Sequence, residues 1–237
     1  MSSSVPFAPH APAGAVRTGF LPRLAVALAT AIAILGATIA LVAEPLYLDG
    51  ALDRAGSARN LGVTAAEARA ISESVVLELV VGPGSFAQTM TGPDGARVRV
   101  FEASEASHLR DVRTLLLLVA AAVLACGAVL VVGAGRARGA WFWRAVARGA
   151  AGLALTLVAV GVFFAVAFDA AFTLFHLVAF PGGNWSFDPS TERMVQLYPT
   201  AFWQEVTVVL AVLAIGLAAA TWLLARRRAA RLEERGR

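Results

Sequence analysis

Thr114-Leu-Leu-Leu-Leu-Val-Ala-Ala-Ala-Val-Leu-Ala-Cys-Gly-Ala-Val-Leu-Val-Val-Gly-Ala-Gly135 is an unbroken run without a charge, closed by Arg113 on one side and Arg136 on the other. At about 1.5 Å per helical residue it reaches across a hydrocarbon core of about 30 Å. Three further runs meet the same test: Leu24 to Ala43, Gly149 to Phe168 and Val206 to Ala225. The composition agrees, because 58% hydrophobic and 15% charged residues do not describe a soluble domain of 237 residues. A mean hydropathy of +0.71 points the same way. For the first run a cleaved signal peptide is the competing reading, but Glu44-Pro45 stands where a small-x-small cleavage site belongs.

Four spans put both termini on one side, and the arginines choose the side. All 20 basic residues are arginine; twelve of them lie on the face of the termini against two acids, Glu233 and Glu234. The other face holds eight arginines against fourteen acids. The basic face is therefore expected to be cytoplasmic, and its charge is explained by topology and by contact with anionic lipid at Arg226-Arg227-Arg228. It calls for no nucleic acid. Trp141, Trp143 and Trp222 fall near this inner interface, and Tyr47, Trp185, Tyr198 and Trp203 near the outer one. The single cysteine, Cys126, lies inside an apolar run, which excludes an intramolecular disulfide and a Cys-x-x-Cys redox site.

The expected architecture is an all-α membrane protein: a four-transmembrane-helix bundle with a small extracytoplasmic α+β cap made of a helix plus a β-hairpin. Residues 1–20, with His10, read as a disordered cytoplasmic tail. The spans are expected over 21–43, 105–135 with an outer extension, 149–176 and 202–225. The cap takes 44–104, a cytoplasmic loop 136–148, an extracytoplasmic loop 177–201 and a basic cytoplasmic tail 226–237. Within the cap, Thr64-Ala-Ala-Glu67 reads as a capping box opening a helix to about Val80, ended by Gly82-Pro83-Gly84. Phe86 to Thr91, the turn Gly92-Pro93-Asp94-Gly95 and Arg97 to Phe101 read as the hairpin, which must pack on that helix or on the bundle rim. Ser104 is the expected N-cap of the second spanning helix.

Chemistry gathers where the apolar runs give out. His108 and Asp111 stand at i and i+3 on the outer turns of the second helix, and Asp169, Thr173 and His176 at i, i+4 and i+7 toward the end of the third. A carboxylate inside hydrocarbon costs up to about 3 kcal/mol, so Asp169 is expected to hold a partner, with His108, Arg110, Arg113 and His176 in reach. An imidazole with a reference pKa of about 6.5 takes and returns protons near neutrality, and an adjacent carboxylate would orient it. No Gly-x-Ser-x-Gly elbow and no reactive cysteine is present, so the histidines would act as general acid and base, or one of them as a nucleophile. Metal spacing of the His-Glu-x-x-His kind is absent, and no metal or cofactor is expected. The Gly182-Gly183-Asn184-Trp185 segment reads as a turn or as an oxyanion-binding loop beside His176. Asp188-Pro189 with Thr191 reads as the cap of a short helix from Ser190 to Tyr198. A non-catalytic membrane protein that binds a lipid or a partner, with the His/Asp cluster as structural glue, is the alternative; a transporter is third, because four spans leave little room for a pathway.

Phe168-Asp169, Phe175-His176, Phe180, Gly183-Asn184-Trp185, Phe187-Asp188-Pro189, Tyr198-Pro199 and Phe202-Trp203, preceded by Phe101, Glu105, His108 and Asp111-Val112, resemble the two signatures of a bacterial four-span integral membrane family. That family includes lipoprotein intramolecular transacylase (Lit). The resemblance covers roughly residues 21 to 225. It implies a four-helix bundle with an extracytoplasmic cap and His108 and His176 as a catalytic pair, supported by Asp111, Asp169, Asn184, Trp185 and Asp188. It implies a membrane lipid and a diacylglyceryl lipoprotein as substrate, whose sn-2 acyl chain moves to the amino group of the N-terminal cysteine to give a lyso-form lipoprotein. A transfer between a lipid ester and a nearby amine needs no nucleophile from the enzyme, because proximity and proton shuttling can carry it.

Overall fold

In a computed structural model, residues 19–92, 94–136 and 139–236 are described. Residues 1–18 of the expected tail, with His10, and Pro93 of the hairpin turn lie outside them, while Phe20 of that tail already belongs to the first helix. Four helices are long and apolar enough to cross a membrane: α1 (Phe20–Val42), α5 (Ala103–Arg136), α6 (Ala140–Val166) and α9 (Thr200–Glu234). α1 packs against α5, α6 and α9, and α6 against α9. Small residues permit the approach: a Cβ on Gly149 of α6 would collide with the backbone of Ala27 on α1, and one on Gly36 of α1 with the Val123 side chain on α5.

Three boundaries differ from the sequence reading. The third span ends earlier than the expected 149–176: the chain breaks at Ala167 (φ −144°, ψ 56°), so that α6 is the spanning helix and α7 (Phe168–Ala179), too short to cross, is a separate one. The intracellular connection expected over 136–148 shrinks, since α6 already begins at Ala140. The basic tail is not a separate tail: α9 continues through Arg226-Arg227-Arg228 to Glu234, with no glycine or proline to stop it.

The cap holds more helix than expected. Besides α4 (Ala65–Val80) it contains α2 (Pro45–Ala55) and α3 (Ser57–Leu61), and later in the chain α8 (Arg193–Leu197). Pro45 occupies the first turn of α2, where a missing N–H costs nothing, and Gly56 (φ 74°) ends it in the left-handed region. Thr64 caps α4 by accepting from Glu67 N at 3.2 Å. Glu67 does not complete the box; its carboxylate accepts instead from Thr91 N (2.8 Å), fastening the hairpin to α4. The hairpin is shorter than expected, β1 (Thr89–Thr91) pairing antiparallel with β2 (Arg97–Arg99). Its apolar residues Met90 and Val100 join Ile71 and Val75 of α4, Leu109 of α5 and Phe202 of α9 in one buried cluster. That cluster welds the cap to the N-terminal ends of two spanning helices. Arg113 of α5 strengthens the weld by donating to Glu78 O (2.9 Å) and Gly82 O (2.7 Å), the open carbonyls at the end of α4.

Candidate active site

The start of α5 is set by Glu105, not by Ser104. The helix opens at Ala103, and the Glu105 carboxylate reaches back to accept from Glu102 N at 2.7 Å, the N3-to-N-cap half of a capping box. Its other oxygen accepts from Met194 N (2.6 Å) at the first turn of α8. Glu105 is fully buried, so one side chain satisfies two buried amides and ties α5 to the loop that follows α7.

One turn along α5 from Glu105 stands His108, and α7 brings His176 to meet it. The ring centroids are 6.0 Å apart with planes 29° from parallel. His108 is 5% exposed and His176 7%. Aromatic rings wall them in: Phe180 and Phe187 lie edge-on to His108 at 4.7 and 5.6 Å, and Phe172 and Trp185 lie 4.1 and 5.1 Å from His176. Both rings stand beyond the uncharged spanning runs, His108 before Thr114 and His176 on α7. Burial holds both below the ordinary imidazole range. For His108, burial and the neighbouring His176 together bring the pKa to about 4, against the upward pull of Asp111. Burial thus favours the neutral form of both rings.

His176 Nδ1 lies 2.8 Å from Phe172 O. A carbonyl oxygen only accepts, so Nδ1 carries the hydrogen of the neutral ring and Nε2 keeps its lone pair. His108 Nδ1 is buried with no partner. The carboxylate partners expected on each helix face are not in those positions. Asp169 lies exposed in the first turn of α7, and the ring it was expected to orient bonds to the Phe172 carbonyl instead. Arg113, one of its expected partners, is spent on α4. Both ends of α7 are packed, through Ala171 and His176, but Asp169 points away from this buried side.

Asp111 acts across the gap between elements. Its Oδ2 accepts from Asn184 Nδ2 at 2.7 Å, and the same Nδ2 lies 3.5 Å from Ser107 Oγ. Because a carboxylate can only accept, the amide is oriented: the NH2 faces Asp111, and Oδ1 is left buried without a partner. Asn184 is therefore an acceptor toward the site and not the oxyanion donor first expected. Gly183 N donates to Phe180 O (3.1 Å), so that amide is also spent, within a turn that Gly183 (φ 78°) permits. The remaining donor is Trp185 Nε1, buried and unpartnered beside His176. His108 Nδ1, Asn184 Oδ1 and Trp185 Nε1 are thus buried polar atoms without a partner, on the histidine pair itself and on two neighbouring residues of the loop after α7.

Asp188 does not join them. It is exposed and its Oδ1 accepts from Ser190 N (2.8 Å) and Ser190 Oγ (2.7 Å), a local turn ahead of α8, which starts three residues later than expected. Tyr198 turns its hydroxyl into the cap, 3.0 Å from Ser72 Oγ, instead of standing in an interfacial belt. Among the described residues no group of three or more His, Cys, Asp or Glu side chains is placed to hold a metal ion. Glu105, Phe180 and Phe187 were missed as members of the site's frame; a glutamate three residues before a histidine at a helix start was the available signal.

A search of curated proteins returns no match. Solved structures do match: lipoprotein intramolecular transacylase Lit from Bacillus cereus superposes with a TM-score of 0.70 at 19% identity, covering 91% of this chain and 96% of that one. A variant of that protein with one histidine replaced by arginine gives 0.68 at 18% identity, covering 92% and 94%. A variant with a histidine replaced by alanine gives 0.66 at 19%, covering 87% and 91%. These likenesses establish the shared fold. The model of the family described as lipoprotein intramolecular transacylase Lit matches residues 25–203, most of the sequence, and the chain belongs to that family of membrane-integral acyltransferases.

Proposed function

We propose that this chain moves the sn-2 acyl group of a diacylglyceryl lipoprotein to the amino group of the lipoprotein's own N-terminal cysteine, leaving a lyso-form product, with His108 and His176 handling the protons. The observation that carries this reading is the meeting of two buried imidazoles from different helices, their ring centroids 6.0 Å apart.

The amine nitrogen attacks the ester carbonyl carbon, forming the C–N bond of an amide. His176 Nε2, the free lone pair, takes the proton that the nitrogen sheds. Its Nδ1–H on the Phe172 carbonyl favours the imidazolium so formed. Trp185 Nε1–H donates to the carbonyl oxygen as negative charge develops on it, and Asn184 Oδ1 accepts from the amine. The C–O bond to glycerol then breaks, and the proton returns from the imidazolium to the departing alkoxide. His108 stacks on His176 and extends the proton path, with Asp111 supporting its charged form. Ester and amine arrive on one molecule, which makes the step unimolecular in geometry.

The arginine bias favours cytoplasmic termini, which puts the histidine pair at the extracytoplasmic surface of the membrane, where a lipoprotein's modified cysteine resides. Mass spectrometry of the N-terminal peptide of a reporter lipoprotein, co-expressed with this chain in a host lacking N-acylation, tests the reading. It predicts an N-acylated, monoacylglyceryl peptide; a diacylglyceryl peptide with a free amine, at normal enzyme abundance, contradicts it.

A further inference from the structure

Three phenylalanines form a row of rings that leads away from His176. The Phe172 ring lies 4.1 Å from His176, Phe168 lies 5.8 Å from Phe172, and Phe164 lies 5.9 Å from Phe168. Phe164, Phe168, Phe172 and His176 stand at i, i+4, i+8 and i+12, each a little over one helical turn from the next. The break at Ala167 falls between Phe164 and Phe168 and does not interrupt the row. The row therefore begins at a buried histidine and ends inside the apolar run of the spanning helix α6.

Core packing does not account for these rings. Among the described residues, none of the three belongs to a buried hydrophobic cluster or packs against one. Each is half-buried, so part of its surface stays open. The aromatic neighbours of Phe168 and Phe172 among the described residues are the other members of the row. The result is a narrow apolar surface, one ring wide, that offers close contact along its length to a straight hydrocarbon chain.

We propose that Phe172, Phe168 and Phe164 hold the acyl chain being transferred, and that Phe164 sets the chain length preferred. This rests on the transacylase reading: with the ester carbonyl at His176, the acyl chain departs beside that ring, and the row is the apolar surface that starts there. Lipid tails are as apolar as these side chains, so the row gains little from burial as such. Its contribution is contact along the chain, which keeps the carbonyl carbon in place at the imidazole. An octanoyl chain passes the first two rings. A palmitoyl chain also reaches Phe164.

Kinetics of the full chain with two lipopeptides test this, the two being identical in peptide and in an sn-1 palmitoyl group and differing in a palmitoyl or an octanoyl group at sn-2. The natural chain should prefer palmitoyl, and Phe164→Ala should lower the palmitoyl-to-octanoyl ratio of kcat/KM by about tenfold, the scale on which apolar contacts discriminate chain length. Phe164→Leu, which keeps an apolar side chain without the ring, should lower the ratio in the same direction by less. Phe164 packs in no buried cluster, so neither substitution empties the core, and the leucine variant decides the matter if the alanine variant does not fold. A ratio that either folded variant leaves unchanged, with both substrates converted, overturns the assignment of the row and leaves the transacylase reading standing. No conversion of either lipopeptide by the folded natural chain overturns that reading and the assignment with it.

Discussion

Asn184 donates to Asp111 across 2.7 Å, joining the loop after α7 to the outer turns of α5, and this bond fixes which way the Asn184 amide faces the histidines. The neighbouring pair follows the same logic: His176 is fixed by a backbone carbonyl and not by an acid. In each case the partner fixes which polar atom is left free, Asn184 Oδ1 and His176 Nε2.

The Asn184 assignment makes a prediction through exchange of donor and acceptor. Asn184→Asp puts two carboxylates 2.7 Å apart and should cut the rate of acyl transfer by at least about tenfold. D111N/N184D restores a donor facing an acceptor and should recover part of that loss. Rates from reconstituted enzyme with a diacylglyceryl lipopeptide check this; a double variant as slow as the worse single one removes the bond from the account.

The pH profile carries the depressed imidazoles. Folded His108 has a pKa of about 4 against an ordinary value of about 6.5, and His176 is shifted in the same direction. Once the ionisation of the substrate amine, ordinarily at about 7.7–8.0, is divided out of the profile, the acid limb left by the imidazole base should lie below 6.5. Stability follows with the same sign: the unfolded chain binds protons first, so stability is full above about pH 6.5 and declines as pH falls toward 4. An acid limb of the rate centred near 6.5 would contradict burial as the governing influence.

Glu105 predicts a structural loss with a catalytic echo. Glu105→Ala leaves the amides of Glu102 and Met194 buried without acceptors, at about 1–3 kcal/mol each. Thermal unfolding in detergent should fall clearly, and Glu105→Gln, which keeps one acceptor, should lie between. Equal stability of the alanine variant and the natural chain would show that α5 and α8 are held by other means.

Gly149 predicts the cost of spreading two helices. A methyl group there meets the backbone of Ala27, which cannot swing aside as a side chain can, so Gly149→Ala should destabilise the chain by about 1–3 kcal/mol. Gly152, three residues on, has open space at its Cβ position, so Gly152→Ala is the control and should cost nothing by crowding.

Much of this molecule was legible in its sequence because the lipid environment imposes length and polarity directly. The four spans, the Thr64 cap and the existence of the hairpin were written in local patterns. The break at Ala167 was not, since Val-Phe-Phe-Ala-Val-Ala-Phe carries no proline, glycine or polar residue to announce it. α2 did carry its signals, Pro45 and Gly56, but the stretch between them is short and weakly periodic. At the site, the two histidines could be named from position; their partners could not. Asp111 and Asn184 lie 73 residues apart, and Asp169 has the period of His176 yet is exposed while Ala171 and His176 of the same helix are buried.

The central claim is that His108 and His176 work as one proton-handling unit. His108→Asn, His176→Asn and the double variant, purified and assayed for conversion of a diacylglyceryl lipopeptide to its lyso form, test it most directly. Asparagine keeps a side-chain donor for the Phe172 carbonyl but has no basic nitrogen. The account predicts folded single variants each slowed by about 10²–10⁴-fold, with the double variant little worse than the slower single one, as expected of groups that act together. Either single variant converting substrate at close to the natural rate would contradict it.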